Sequence, residues 1–225
     1  MNELLQPSNR GLVHELVLER VREKFAELDD ADPGVRAAAL ERLGELYVAL
    51  WAPHADAVLM KIIDDDPNVR RLAVEVLGKL RAIGSSAEGS NSSQFVQYAD
   101  AIANMRTDAD AKVRVAVVVA LANDPETLPR YTDAIVNMLT DADAKVRVAA
   151  LVALGKLADG YVRPVPKHGP ETLPSYMAAV ANKLDDADVN VRGAAQNILE
   201  SKFPNMKLDD IRLLVHNLTD ADPGV

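Results

Sequence analysis

The chain has no cysteine, 3 phenylalanines and 1 tryptophan in 225 residues, and no run of 18 apolar residues. Without cysteine there is neither a disulfide framework nor a thiolate metal site, which suits a reducing compartment. Aromatics make up 4% of the chain against 48% hydrophobic residues. The core must therefore be built from Ala, Val and Leu, small aliphatic side chains that suit closely stacked helices. No membrane span can be drawn, and Met1 to Arg10 holds no apolar signal core, so the expectation is an intracellular, cytoplasmic protein. Cations are also short: 25 Lys and Arg stand against 34 Asp and Glu, a net charge of -9. That balance works against nucleic acid as a partner, since phosphate binding needs clustered basic residues.

What the chain does have is a returning phrase: an apolar residue, an acidic stretch, then Val-Arg. Leu28 to Arg36 and Leu184 to Arg192 are two copies. The phrase ends on Arg36, Arg70, Arg114, Arg147 and Arg192, and a sixth copy, from Leu218, stops at Val225 before its own Arg. A period of roughly 33–45 residues is that of helical solenoids, in which each unit needs its neighbours to bury its apolar face.

Each unit reads as two helices. Segments ahead of the acidic turn, such as Tyr98 to Met105 and Tyr131 to Leu139, place apolar residues at helical spacing, which gives one buried stripe. Segments after it, such as Val113 to Leu121 and Val146 to Leu157, are apolar on more than one face. Asp32, Asp66, Asp110, Asp143 and Asp188 stand where the second helix needs an N-cap, and Pro33 and Pro67 follow two of them. Asp accepts from the free amides of a first turn, and Pro loses no needed donor there. First helices are predicted near 12–28, 54–63, 95–106, 129–139 and 172–184.

The units are placed at about 12–50, 54–83, 95–123, 129–158 and 172–202, with a partial sixth at 207–225. The longer units alternate with the shorter, their extra length lying in two inserts. Residues 84–93 are rich in Gly and Ser, and residues 159–170 carry Pro164, Pro166 and Pro170; the first should be pliant and the second extended. Pro-Glu-Thr-Leu-Pro at 125–129 and 170–174, and the shared words at 107–116 and 140–149, point to duplication.

The phrase Asp-x-Asp-Pro-x-Val-Arg followed by Ala-x-x-x-Leu-Gly resembles the HEAT-repeat family, and the resemblance runs from about residue 12 to the end. It implies an all-α fold, a right-handed α-solenoid of about five antiparallel helix pairs plus a partial sixth, with second helices lining a concave face. It also implies that the acid and base six apart in each turn form ladders between repeats: Asp30 with Arg36, Asp64 with Arg70, Asp108 with Arg114, Asp141 with Arg147, and Asp186 with Arg192. Arg suits this task because its fork meets a carboxylate and carbonyls at once. Gly44, Gly78 and Gly155 fill the usual Gly position, while Ala122 and Glu200 replace it elsewhere. The chain is read as a single repeat domain and, because it stops within a turn, as a fragment of a longer array.

Counted from the repeat Arg, positions one, four and five further on lie off the main stripe. In the middle units they hold Val115, Val118 and Val119, then Val148, Leu151 and Val152. In the outer units they are mostly polar, Arg71 among them. Exposed contiguous apolar surface marks an interaction site, so these six, with Arg71 as a polar rim, are the expected contact for a protein partner, and an amphipathic helix is a natural ligand. The competing reading packs position four between adjacent helices.

The Asp-rich turns lack the Gly and the distal Glu of an EF-hand, and capping with the Arg ladder accounts for them, so no metal is expected. The four His residues occupy unrelated repeat positions, and no Cys nucleophile, Gly-x-Ser-x-Gly or phosphate-cradling loop is present, so neither catalysis nor a cofactor is expected. Trp51 and Tyr47 are expected to pack a unit junction. The functional expectation is a non-enzymatic scaffold or adaptor. The alternatives are an architectural assembly subunit without a ligand groove and, more remotely, a repeat subunit resembling the bilin lyases.

Overall fold

The structure is a computed structural model and describes residues 10–84, 92–124, 128–160, 175–204, 207–210 and 213. The described parts of the chain are helical and contain no strand. They fall into two compact units, Met1–Met105 and Arg106–Val225.

In the first unit α1 (Arg10–Glu27) pairs with α2 (Pro33–Glu45), and α3 (Ala55–Leu59) with α4 (Pro67–Gly84), followed by α5 (Ser92–Asn104). In the second, α6 (Ala111–Ala122) precedes the pair α7 (Thr132–Asn137) and α8 (Ala144–Gly160), then the pair α9 (Ser175–Ala181) and α10 (Val189–Lys202). α2 packs along α4 in the first unit, and α8 lies between α6 and α10 in the second. The helices reach into both predicted inserts, at Gly84, at Ser92 and at Gly160. The remainder of those inserts, and most of the partial sixth unit, lies outside the described residues.

One local device sets the pairs α3–α4, α7–α8 and α9–α10. The first helix tightens into a 3-10 turn, Met60–Ile63 after α3, Met138–Thr140 after α7 and Asn182–Asp185 after α9. Such a turn takes up carbonyls that an α-helical end leaves unpaired. The chain then leaves in extended form at Asp64 (φ -59°, ψ 149°), Asp141 (φ -58°, ψ 145°) and Asp186 (φ -62°, ψ 146°). Two residues on, a second Asp caps the next helix. Asp66 Oδ1 accepts from the Asn68 and Val69 amides at 2.8 and 3.0 Å, and Asp110 and Asp143 accept from Lys112 and Lys145, each at 2.7 Å. Removing such a cap costs about 1 kcal/mol.

The Val before each repeat Arg and the Leu seven after it form the stripe that second helices turn inward. Val69, Leu77, Val113, Leu121, Val146, Leu154, Val191 and Leu199 are all buried. Each such side chain contributes about 1.5–3 kcal/mol by leaving water. Small residues let neighbouring helices approach closely. A Cβ at Gly155 would stand 3.3 Å from Ile198 Cγ1 on α10, and one at Gly44 would stand 3.1 Å from Val76 Cγ2 on α4.

Arg ties the turns together, with a partner that differs from the expectation. Within its own turn each Arg donates to main-chain carbonyls: Arg36 to Asp30 and Ala31 at 2.8 and 3.2 Å, and Arg114 to Asp108 and Ala109 at 2.7 and 3.1 Å. Arg70, Arg147 and Arg192 repeat this pattern. The carboxylate is met in the next turn. Arg36 grips Asp64 with Nε and Nη2 at 2.9 and 2.7 Å, Arg114 grips Asp141 at 2.7 and 2.8 Å, and Arg147 grips Asp186 at 3.0 and 2.8 Å. The expected ladders between repeats are present, their rungs joining an Arg to the turn Asp of the next repeat rather than to the Asp six residues before it. The turn Asp directs Oδ1 at the amide two residues on, as Asp30 does to Asp32 at 2.8 Å, so its own Arg reaches only its carbonyl.

These pairs shift titration. The hydrogen bond from Arg114 holds Asp141 below the usual carboxylate range against the opposing effect of burial, and Arg147 does the same for Asp186. For Asp64, burial is the largest single influence and pushes upward, but the bonds from Arg36 and the Asp66 amide outweigh it. A carboxylate whose folded pKa is depressed adds stability above its unfolded value of about 3.9, and that stability is lost as pH falls through the folded value. Arg114→Gln should therefore lower unfolding free energy by about 2 kcal/mol at pH 7. The loss should shrink below about pH 4, as read by urea titrations at neutral and acid pH; an equal loss at both would show that the pair contributes nothing.

Candidate functional site

α6 and α8 lie side by side and carry the same residue types in the same register, so equivalent side chains form rows across the pair. Valine is β-branched and stiff at χ1, which makes a row of valines a firm surface rather than a pliant one. The row five residues after the repeat Arg points outward: Val119 is 46% exposed and Val152 49%. One turn earlier, Val115 and Val148 are half-buried. These four form an apolar field on the exposed side of α6 and α8.

The expectation needs correcting at position four, where Val118 and Leu151 are fully buried. Residues four apart lie on one face of a helix, but the residue at position four stands a further 100° or so around from its neighbour at position five. That turn carries it into the seam between adjacent second helices, where no partner can reach it. Arg71, expected as a polar rim, belongs to α4 in the first unit. There it donates to Glu75 Oε1 at 2.6 Å and Asn68 Oδ1 at 2.7 Å.

Two further residues border the field. Lys112 and Lys145 stand at the second position of α6 and α8 and are exposed, and neither joins an ion pair among the described residues. Lys156, also exposed, donates to Asn123 Oδ1 at 3.2 Å at the far end. The signal was available as lysine two places before the repeat Arg, found in the units with valine at position five and replaced by Gly34, Asn68 and Asn190 in the others.

The Asp turns are already saturated. Asp64 Oδ1 receives both the Arg36 Nη2 and the Asp66 amide, and Oδ2 receives Arg36 Nε. No group of three or more His, Cys, Asp or Glu placed to hold a metal occurs among the described residues. Trp51 is fully buried as expected for a packing residue, whereas Tyr47 is 74% exposed, so only the Trp packs the junction. Among the described residues no helix is long and apolar enough to cross a membrane.

Comparison with known proteins supports the helical-repeat architecture. The family model of the sister chromatid cohesion protein PDS5 matches residues 56–211. No curated protein matches the sequence. Among solved structures, the Pds5–Scc1 complex is similar at TM-score 0.60 and 13% identity over 89% of this chain, which spans 32% of that one. A designed armadillo repeat protein in complex with the peptide (KR)4 is similar at TM-score 0.52 and 18% identity, over 82% of this chain and 85% of that one. The complex of CpcE and CpcF of phycocyanin lyase from Nostoc is similar at TM-score 0.51 and 22% identity, over 66% of this chain and 91% of that one. At these identities the likeness is one of fold, a solenoid of helical repeats.

The burial pattern separates neighbours in sequence by their effect on stability. Leu151→Ala should cost about 3 kcal/mol, the range for a buried Leu that leaves a cavity. Val152→Ala should stay within about 0.5 kcal/mol, as an exposed helix position whose Ala has the better propensity. Chemical unfolding of the two variants checks this, and equal losses would place Val152 in the core.

Proposed function

The chain belongs to the family of the sister chromatid cohesion protein PDS5, and from that premise we propose that it is a protein-interaction scaffold whose second helices α6 and α8 hold a segment of a protein partner. The observation that carries this reading is the outward row of Val119 and Val152 flanked by Val115 and Val148. These valines leave much of their surface in water, and contiguous exposed apolar surface on a repeat scaffold is the common form of a docking face. Two of the similar structures are complexes with another chain, the Scc1 protein in one and a peptide in the other, which supports reading this scaffold as a binding one.

Val118 and Leu151 support the face from beneath and take no part in contact. The half-buried Val115 and Val148 give it depth, and a partner side chain seated between the rows would cover them. The likeness to the CpcE–CpcF complex adds no chromophore chemistry, because it is a likeness of fold at 22% identity.

The test is affinity capture from the source cells with the natural protein and with the double variant Val119→Glu, Val152→Glu. Both positions are about half exposed, so the variant should keep its helicity and melt within a few degrees of the natural protein. A partner retained by the natural protein and lost from the folded variant is the expected result. A partner held equally by both would remove this face from consideration.

A further inference from the structure

We propose that the segment docked on this face is an acidic amphipathic helix, its apolar residues on the valine field and its carboxylates on Lys112 and Lys145. This rests on the reading of α6 and α8 as the docking face and adds the chemistry of what docks.

The argument is charge complementarity against the grain of the whole chain. The protein carries -9, yet α6 and α8 hold five cations, Lys112, Arg114, Lys145, Arg147 and Lys156, against one acid, Asp159 in the last turn of α8. The two Arg are spent on their turns, each gripping a carboxylate and two carbonyls. The lysines face water. In the first unit the position taken by Val119 and Val152 holds Glu41 and Glu75, so valine and unpaired lysine occur in the same helices and are absent from the others together.

Lys112 and Lys145 also stand where a cation works against its own helix. The first turn of a helix carries the positive end of the dipole, and a like charge there is unfavourable. Asp110 and Asp143 beside them have their carboxylates committed to the Lys112 and Lys145 amides. Asp110 and Asp143 thus occupy the dipole ends themselves, so an incoming carboxylate would be met by the exposed ammonium groups of Lys112 and Lys145.

Geometry favours a helix as the occupant. Packed helices lie about 8–10 Å apart, which sets the distance between the rows on α6 and α8. Residues seven apart on a helix are separated by about 10.5 Å along its axis and lie on nearly the same face. A helix laid across α6 and α8 can therefore put one apolar side chain on each valine row and one carboxylate on each lysine.

The experiment displays random peptides of about 16 residues, enough for roughly four helical turns, and selects them on the full-length natural chain. The expected winners carry acidic residues about seven apart beside apolar ones, bind about tenfold more weakly to Lys112→Glu, Lys145→Glu, and weaken as salt rises. Selection on that charge-reversed variant should turn to basic peptides. Winners that are neutral or basic on the natural chain overturn the proposal, as do acidic winners indifferent to the lysine change. If such winners are lost with Val119→Glu, Val152→Glu, the docking face stands and only its acidic specificity falls. If the valine change leaves them untouched, or if selection yields no binder, both readings fall. Lysine-dependent binding of a DNA duplex or self-association of the chain, in place of peptide binding, also overturns it.

Discussion

The guanidinium at the end of each repeat phrase is the contact on which the rest of this fold depends. At Arg36, Arg114 and Arg147 it holds three things at once: two carbonyls of its own turn and the carboxylate of the following turn. Arg114 does this through Nη1 on Asp108 and Ala109 and through Nε and Nη2 on Asp141. No other side chain can do so, because only the planar fork presents donors in two directions from one rigid group. Lysine could neutralise Asp141 but would leave the carbonyls to water. The Asp side is equally committed, since Asp141 Oδ1 also receives the Asp143 amide at 2.8 Å and so fixes the turn that presents its own carbonyl to Arg147.

From this link follows the division of labour among the faces of a second helix. The turn edge is fixed by hydrogen bonds, and the inner stripe by the buried Val and Leu of each phrase. The flanks go to neighbouring second helices, where Gly155 lets Ile198 approach. One strip of each helix is left with no structural duty. In α2 and α4 that strip carries Glu41 and Glu75, the ordinary choice for a face in water, and in α6 and α8 it carries valine. The contrast between strips that share one scaffold is what makes the valines informative, because fold requirements are the same for both.

The repeat phrase made the helices legible because the same signals recur in one order: Asp to end a turn, Asp to cap, Val and Leu to face inward. Helix starts at Pro33 and Pro67 follow directly from cap and Pro chemistry. The 3-10 tails were not legible, because no residue type demands them. The partner of each Arg escaped for a related reason. Spacing along the chain shows which acid is near in sequence, whereas Arg36 and Asp64 are joined across 28 residues by the stacking of two turns. Position four was misplaced because periodicity alone does not say how closely α6 and α8 stack. Val118 and Val119 are alike in sequence, and only the neighbouring helix makes one core and the other surface.

The internal duplication bears on how much weight the paired valines can take. Residues 107–116 and 140–149 share their words, so Val119 and Val152 descend from one residue, and their recurrence alone counts once. Val117 and Val118 of α6 correspond to Ala150 and Leu151 of α8, and Ala122 corresponds to Gly155, all of them buried. A Val-Val pair and an Ala-Leu pair occupy similar volume, the kind of exchange a core tolerates. Other buried positions have not changed, Val113 and Val146 or Leu121 and Leu154 among them, and the exposed Asn123 corresponds to the exposed Lys156, so the exchanges show what the packing tolerates and set neither core nor surface apart. What sets Val119 and Val152 apart is their exposure to water, a place that α2 and α4 give to Glu41 and Glu75.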